Sequence, residues 1–119
     1  MEGTEDGIVV RLCVTCAPES GPADLERLRD SIMRAGLPVP VRVAGQGCLG
    51  ACGEPVALSL QGHGRATYLF SGVRPEEDLA DIAATLRLYL DSPNGWIEHA
   101  RGCGRLRFCL TGRVPALEV

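Results

Sequence analysis

Two cysteine pairs, each at the end of a short apolar run, constrain this chain more than any other feature. Cys13-Val14-Thr15-Cys16 closes the β-branched run over residues 8–14, which reads as a buried strand. Cys48-Leu49-Gly50-Ala51-Cys52 lies in a glycine-rich loop over residues 44–53, just after Val39, Val41 and Val43, whose alternation with Pro40 and Arg42 reads as a second strand. In a β-α-β unit such strands are parallel neighbours, so their C-terminal ends share one edge of the sheet. Four thiols then converge from loops far apart in sequence. The chain holds six cysteines in 119 residues, too many for packing alone. In a reducing compartment that count favours metal or redox chemistry over structural disulfides.

The rest of the composition agrees with such a compartment. The first seven residues are acidic where a signal peptide is basic, and no apolar h-region follows. The apolar runs fall far short of the roughly 20 residues that span a bilayer. A cytoplasmic protein with no membrane partner is expected. The length suits one domain, with a core over about 7–92 and a basic C-terminal extension over about 93–119. A net charge of −3 argues against nucleic acid, which demands an excess of cations. At 4% aromatics there is little from which to build a base-stacking platform. The twelve basic residues are all arginine, a bias that points to a GC-rich genome rather than to a function.

Between and beyond the cysteines the pattern is that of a small α/β domain. Pro22 suits a first helical turn, with Asp24 and Glu26 near the helix N-terminus. Leu25, Leu28, Ile32 and Met33 form an apolar stripe, and Gly36 is a natural stop. Pro40 marks the second strand as an edge or as a strand beginning. Residues 55–60 and 66–70 read as strands joined by a hairpin over 61–65. Pro75, Glu76, Glu77 and Asp78 open a second helix with the apolar face Leu79, Ile82, Leu86, Tyr89 and Leu90, ended by Ser92-Pro93. The order is β-α-β-β-β-α, one sheet with helices packed on it. The tail carries Trp96, His99, Cys103, Cys109 and four arginines, with a weak strand signal over 106–110. It is expected to fold back, because Trp96 and Phe108 would otherwise be exposed. Its positive charge would offset the acids of the second helix or face an acidic partner protein.

Three chemistries suit the four converging thiols. An iron–sulfur cluster takes four thiolates and backbone N–H groups aimed at the sulfurs, which Gly45, Gly47, Gly50 and Gly53 leave room to supply. A zinc site also takes four cysteines, but C-x₂-C spacing is usual on both sides and the second pair here is C-x₃-C. A dithiol cycling with a disulfide needs only Cys13 and Cys16. That option has the cysteine pair after the first strand of a β-α-β unit and Pro55 ahead of a later strand, as thioredoxins do. Against it, the helix beginning near Pro22 is too distant to acidify Cys16, and Cys48 and Cys52 would have no role.

These residues resemble two related groups. The element order and the segment Cys48-Leu49-Gly50-Ala51-Cys52-Gly53-Glu54-Pro55 are similar to the thioredoxin-like [2Fe-2S] ferredoxins. The chain also resembles, over nearly its whole length, a bacterial family of predicted metal-binding proteins of unknown function. The matching segments are Cys13 to Cys16, Cys48 to Cys52, Gly64 to Leu69, Tyr89 and Arg113-Val114-Pro115. The resemblance implies a thioredoxin-like fold and a [2Fe-2S] cluster on Cys13, Cys16, Cys48 and Cys52. It also implies one-electron exchange with a redox partner protein, and a homodimer. The first pair departs from the classical ferredoxins, whose first two ligands lie about a dozen residues apart. The same four cysteines would equally suit zinc or cobalt binding or delivery.

Other polar residues carry blander readings. Cys103 and Cys109 are expected to be buried packing residues. His63 at a hairpin tip, His99 in the tail and Glu54 are expected to be solvated. Glu76, Glu77, Asp78 and Asp81 read as helix-start acids on an exposed face. No hydrolase triad, nucleophile elbow, phosphate loop or dinucleotide fingerprint is present, nor an evident general acid or base. The expectation is an electron carrier or metal-binding protein rather than an enzyme.

Overall fold

The computed structural model describes residues 7–13, 22–47 and 56–117. Cys16, Cys48, Cys52 and Glu54 therefore lie outside the described residues. Strand β1 (Ile8–Cys13) buries Ile8, Val10 and Leu12 on one side, while Val9 and Arg11 stay half-exposed on the other. That is the period of two expected of a pleated strand with one face on a core. Helix α1 (Pro22–Ala35) returns the chain to β2 (Val41–Gln46), which runs parallel to β1 with Ile8 opposite Val41 and Cys13 opposite Gln46. Strand β3 (Leu58–Gly62) lies antiparallel on the other side of β1 and turns into β4 (Thr67–Phe70). Helix α2 (Leu79–Asp91) follows, and the tail ends in β5 (Leu110–Val114), antiparallel to β4. Among the described residues the sheet order is β2-β1-β3-β4-β5, which makes β2 an edge, as Pro40 suggested.

One row of the sheet, Val43, Val10, Leu60 and Tyr68, belongs to the same core cluster as Leu28 and Ile32 of α1 and Ile82, Leu86 and Tyr89 of α2. Each such side chain contributes about 1.5–3 kcal/mol by leaving water. Tyr68 and Tyr89 meet edge to face at 5.7 Å, the orientation the ring quadrupole favours. Gly36 ends α1 at φ +63°. Met33 corrects the stripe read from sequence: it is 79% exposed. It sits one residue, about 100° of helix rotation, past the buried Ile32.

The tail is built into the sheet, as expected, and departs from the expectations in two ways, at the strand start with Phe108 and at Asp78. The strand begins at Leu110, because the chain over Ala100–Phe108 coils tightly, burying Leu106 and leaving Phe108 75% exposed. Trp96 is half-buried and lies under the Arg113 guanidinium at 3.8 Å. Asp78 is not a solvated acid. Its carboxylate is buried and accepts from Arg105 Nε at 2.9 Å and from the Arg74 backbone N–H at 2.8 Å. Burial pushes that carboxyl up, but these donors and the positive charges of Arg105 and Arg74 outweigh it and hold Asp78 below its ordinary range. The Arg105 backbone N–H also donates to Asp81 at 3.0 Å. Tail cations do offset helix acids, then, through one specific clamp.

Several polar groups buried by the tail are paired, although Arg65 Nε is buried without a partner among the described residues. Tyr89 donates to the Ala66 carbonyl at 2.5 Å, the Ala66 N–H donates to the Asn94 carbonyl at 2.8 Å, and the Ile97 N–H donates to the Tyr68 hydroxyl at 2.8 Å. Burial pushes the Tyr89 phenol up to about 12, against the opposing charge of Arg65. No helix among the described residues is long and apolar enough to cross a membrane.

Candidate metal centre

Cys13 is the last residue of β1 and is fully buried. Its position follows from the parallel register with β2, which sets it opposite Gln46, so that Gly47 leaves the sheet beside it. Cys13 Sγ lies 3.7 Å from the Gly47 carbonyl oxygen. Cys13 is disulfide-bonded, so this sulfur has no proton to donate and the approach is a contact rather than a hydrogen bond. Among the described residues, no atom lies within 4 Å of where a Gly47 Cβ would stand.

The chain re-enters the described structure on the opposite side of the same residue. The Cys13 backbone N–H donates to the Ala57 carbonyl at 2.9 Å. Val56 is fixed in turn by two backbone hydrogen bonds with Val73, at 3.2 and 3.0 Å. Both ends of the segment that carries Cys48 and Cys52 are thus anchored next to Cys13. The parallel pairing expected of the first two strands is present, and it puts the C-terminal ends of β1 and β2 at one rim. Cys16, Cys48 and Cys52 lie outside the described residues. Among the described residues no group of three or more His, Cys, Asp or Glu could hold a metal ion.

The tail cysteines have different surroundings. Cys103 and Cys109 are buried thiols, as expected. Cys109 Sγ approaches the Arg105 carbonyl at 3.6 Å and the Gly72 carbonyl at 3.8 Å, and the Cys109 carbonyl accepts from the Ser71 N–H at 2.8 Å. It precedes Leu110, which pairs with Phe70, which pairs with Leu58, which pairs with Leu12. Cys109 therefore stands on the same rim as Cys13 but three strands along, about 14 Å away at about 4.8 Å per strand. That separation is too wide for the two sulfurs to share one metal centre, and the sequence offered no signal for their common rim. His63 and His99 are exposed, as expected.

Comparisons with known proteins agree with this architecture. A family model described as "Protein of unknown function (DUF1636)" matches residues 10–116. Among solved structures, the chain is similar to one described as a thioredoxin-like [2Fe-2S] ferredoxin from Aquifex aeolicus. The two share 17% identity and a TM-score of 0.50, over 93% of this chain and 97% of that chain. At that identity the likeness speaks for the fold alone, and the fold is thioredoxin-like, as the element order implied. No curated protein matches the chain.

Proposed function

The chain belongs to that family of unknown function, and from this premise we propose that it is a small [2Fe-2S] protein passing single electrons to or from a partner protein. Cys13, Cys16, Cys48 and Cys52 would hold the cluster, which supplies a one-electron couple when bound. The observation that carries the reading is the position of Cys13. It lies between Gly47 and Ala57, the two anchors of the segment bearing Cys48 and Cys52. The donor chemistry fits, because four thiolates suit a soft iron–sulfur centre and glycines in the second loop would leave room for backbone N–H groups to approach sulfur. The similarity to a protein described as a [2Fe-2S] ferredoxin supports the same reading. As a ligand Cys13 acts as a thiolate, so its disulfide must first take up two electrons.

That disulfide also favours a second reading, a dithiol that reduces a substrate disulfide while Cys13 is reoxidised. Anaerobic purification under reducing conditions separates the two. The electron carrier is brown, contains iron, and shows visible absorption bleached by dithionite with an electron paramagnetic resonance signal in the reduced state. Cys48→Ser abolishes all of these. A colourless protein with stoichiometric zinc or cobalt on the same cysteines overturns electron transfer in favour of metal binding or delivery. A colourless, metal-free protein that reduces disulfides, with turnover largely intact in Cys48→Ser, establishes the dithiol.

A further inference from the structure

One face of the sheet carries no helix among the described residues. The side chains that alternate with the core residues point to it: Val9 and Arg11 of β1, Arg42 and Gln46 of β2, and Ser59 and Gln61 of β3. The registers set them in rows, Arg42 beside Val9 beside Gln61, and Arg11 beside Ser59, with Cys13 and Gln46 next along the strands. A cleft of about 530 Å³ over this face is lined by Arg11, Arg42, Gln61 and His63 among others. A second cleft, of about 590 Å³, shares Arg11 and Gln61 with the first and runs from Gln46 and Ser59 across to Leu69 of β4 and Arg113 of β5. The two clefts thus make one groove across the sheet, which reaches the rim at Gln46, the β2 residue paired with Cys13. Arg11 precedes Cys13 by two residues on the same face, about 7 Å along the strand.

Among the described residues the charges in this groove are uncompensated. Arg11 donates to the neutral Gln61 Oε1 at 2.7 Å, and Arg42 is exposed with no ion pair among the described residues. No Asp or Glu among the described residues lines either cleft. Arg27, Arg74 and Arg105 pair with Asp24, Glu77 and Asp78, whereas Arg11 and Arg42, like most arginines of the chain, face no carboxylate among the described residues. The net charge is −3, so a cationic groove gives an approaching acidic surface a preferred orientation.

We propose that this groove docks an acidic protein partner, whose carboxylates pair with Arg11 and Arg42 and so bring it against the cysteine rim. The inference rests on the electron-carrier reading and names the surface and charge of that carrier's partner. A second copy of this chain fits the face less well. A two-fold contact would set Arg11 and Arg42 against their own copies, and like charges across an interface are repulsive. Guanidiniums match carboxylates through two parallel N–H···O bonds, which adds geometry to charge.

The test uses the full chain and fluorescein-labelled poly-L-glutamate, with binding read by fluorescence anisotropy at low salt. The Arg11→Gln/Arg42→Gln double variant, checked for native circular dichroism, should weaken binding about tenfold, while Arg101→Gln/Arg107→Gln leaves it within about twofold. Four results overturn the proposal: no binding, loss only in the tail variant, equal affinity for duplex DNA, or a dimer dissociated by the Arg11/Arg42 changes. A gain in affinity when Glu2, Glu5 and Asp6 are neutralised also overturns it, since the chain's own acidic start would then be the occupant. A kinetic arm separates this inference from the reading beneath it. The double variant should slow oxidation of the reduced protein by hexacyanoferrate(III) about tenfold and speed that by hexaamminecobalt(III). A sample with no redox couple reacts with neither oxidant and retires the electron carrier, while the anisotropy result still decides whether the groove takes acidic chains.

Discussion

Cys13 and the tail pair, Cys103 and Cys109, are buried to the same degree, at 0%, 3% and 6% exposure. They differ in what the backbone does around them. Beside Cys13 the chain departs at Gly47 and returns at Ala57, so a cysteine-bearing segment is tethered at both ends to its strand. Cys109 sits in a closed turn whose carbonyls approach its sulfur, and Cys103 lies within the coil packed on α2. Burial alone does not distinguish these cysteines. What differs is that the strand ends beside Cys13 anchor a segment carrying two further cysteines, and the surroundings of the tail pair do not.

The sharpest way to break this contrast is by substitution. Cys13→Ser should remove bound metal entirely, whereas Cys103→Ser and Cys109→Ser should retain it at full stoichiometry, as read by metal analysis. A tail cysteine needed for retention would end the distinction. The clamp that holds the tail comes next. Asp78→Ala strands the Arg105 guanidinium and should cost about 2–4 kcal/mol in urea unfolding, less than a wholly buried pair because Arg105 is partly exposed. A double-mutant cycle with Arg105→Ala should show coupling above about 1 kcal/mol. A slightly smaller effect is expected from alkali. Tyr89 titrates at about 12 when folded and near 10 when unfolded. The folded state therefore holds its proton more tightly. Stability is intact below pH 10, and about 2–3 kcal/mol is lost as pH rises to 12. Tyr89→Phe should flatten that slope.

Gly104→Ala should cost about 2 kcal/mol. Gly104 sits at φ +64°, and an added Cβ would stand 2.3 Å from Asp81 Oδ1. Met33→Gln, on the exposed side of α1, should change stability by less than about 0.5 kcal/mol.

What was legible in the sequence divides along the same line. Features set by near neighbours were readable: α1 from Pro22 to its Gly36 stop, the hairpin, the parallel pair, and the rim that topology gives to the ends of β1 and β2. Features set by distant partners were not. Asp78 looks like any helix-start acid until Arg105, far along the chain, folds onto it. Phe108 was expected inside for its size, but the turn at Gly104 directs Leu106 inward instead. The Cys109 position depends on three successive strand pairings, none of which has a local signature. At the candidate centre, the convergence of strand ends was legible from connectivity alone, whereas the disulfide state of Cys13 was not.

The Ile97 amide has an unusual status. It lies in a stretch with neither helix nor strand, yet its residue is buried and its proton is held by the Tyr68 hydroxyl. Isotope exchange at that position requires the connecting segment to leave the Tyr68 hydroxyl and Ile97 to leave the core, so it should be slow for an amide outside helix and strand. Deuterium uptake at Ile97 should accordingly fall nearer that of Leu60 and Val10 than its irregular backbone suggests. A segment drawn as irregular is thus held by the centre of the protein.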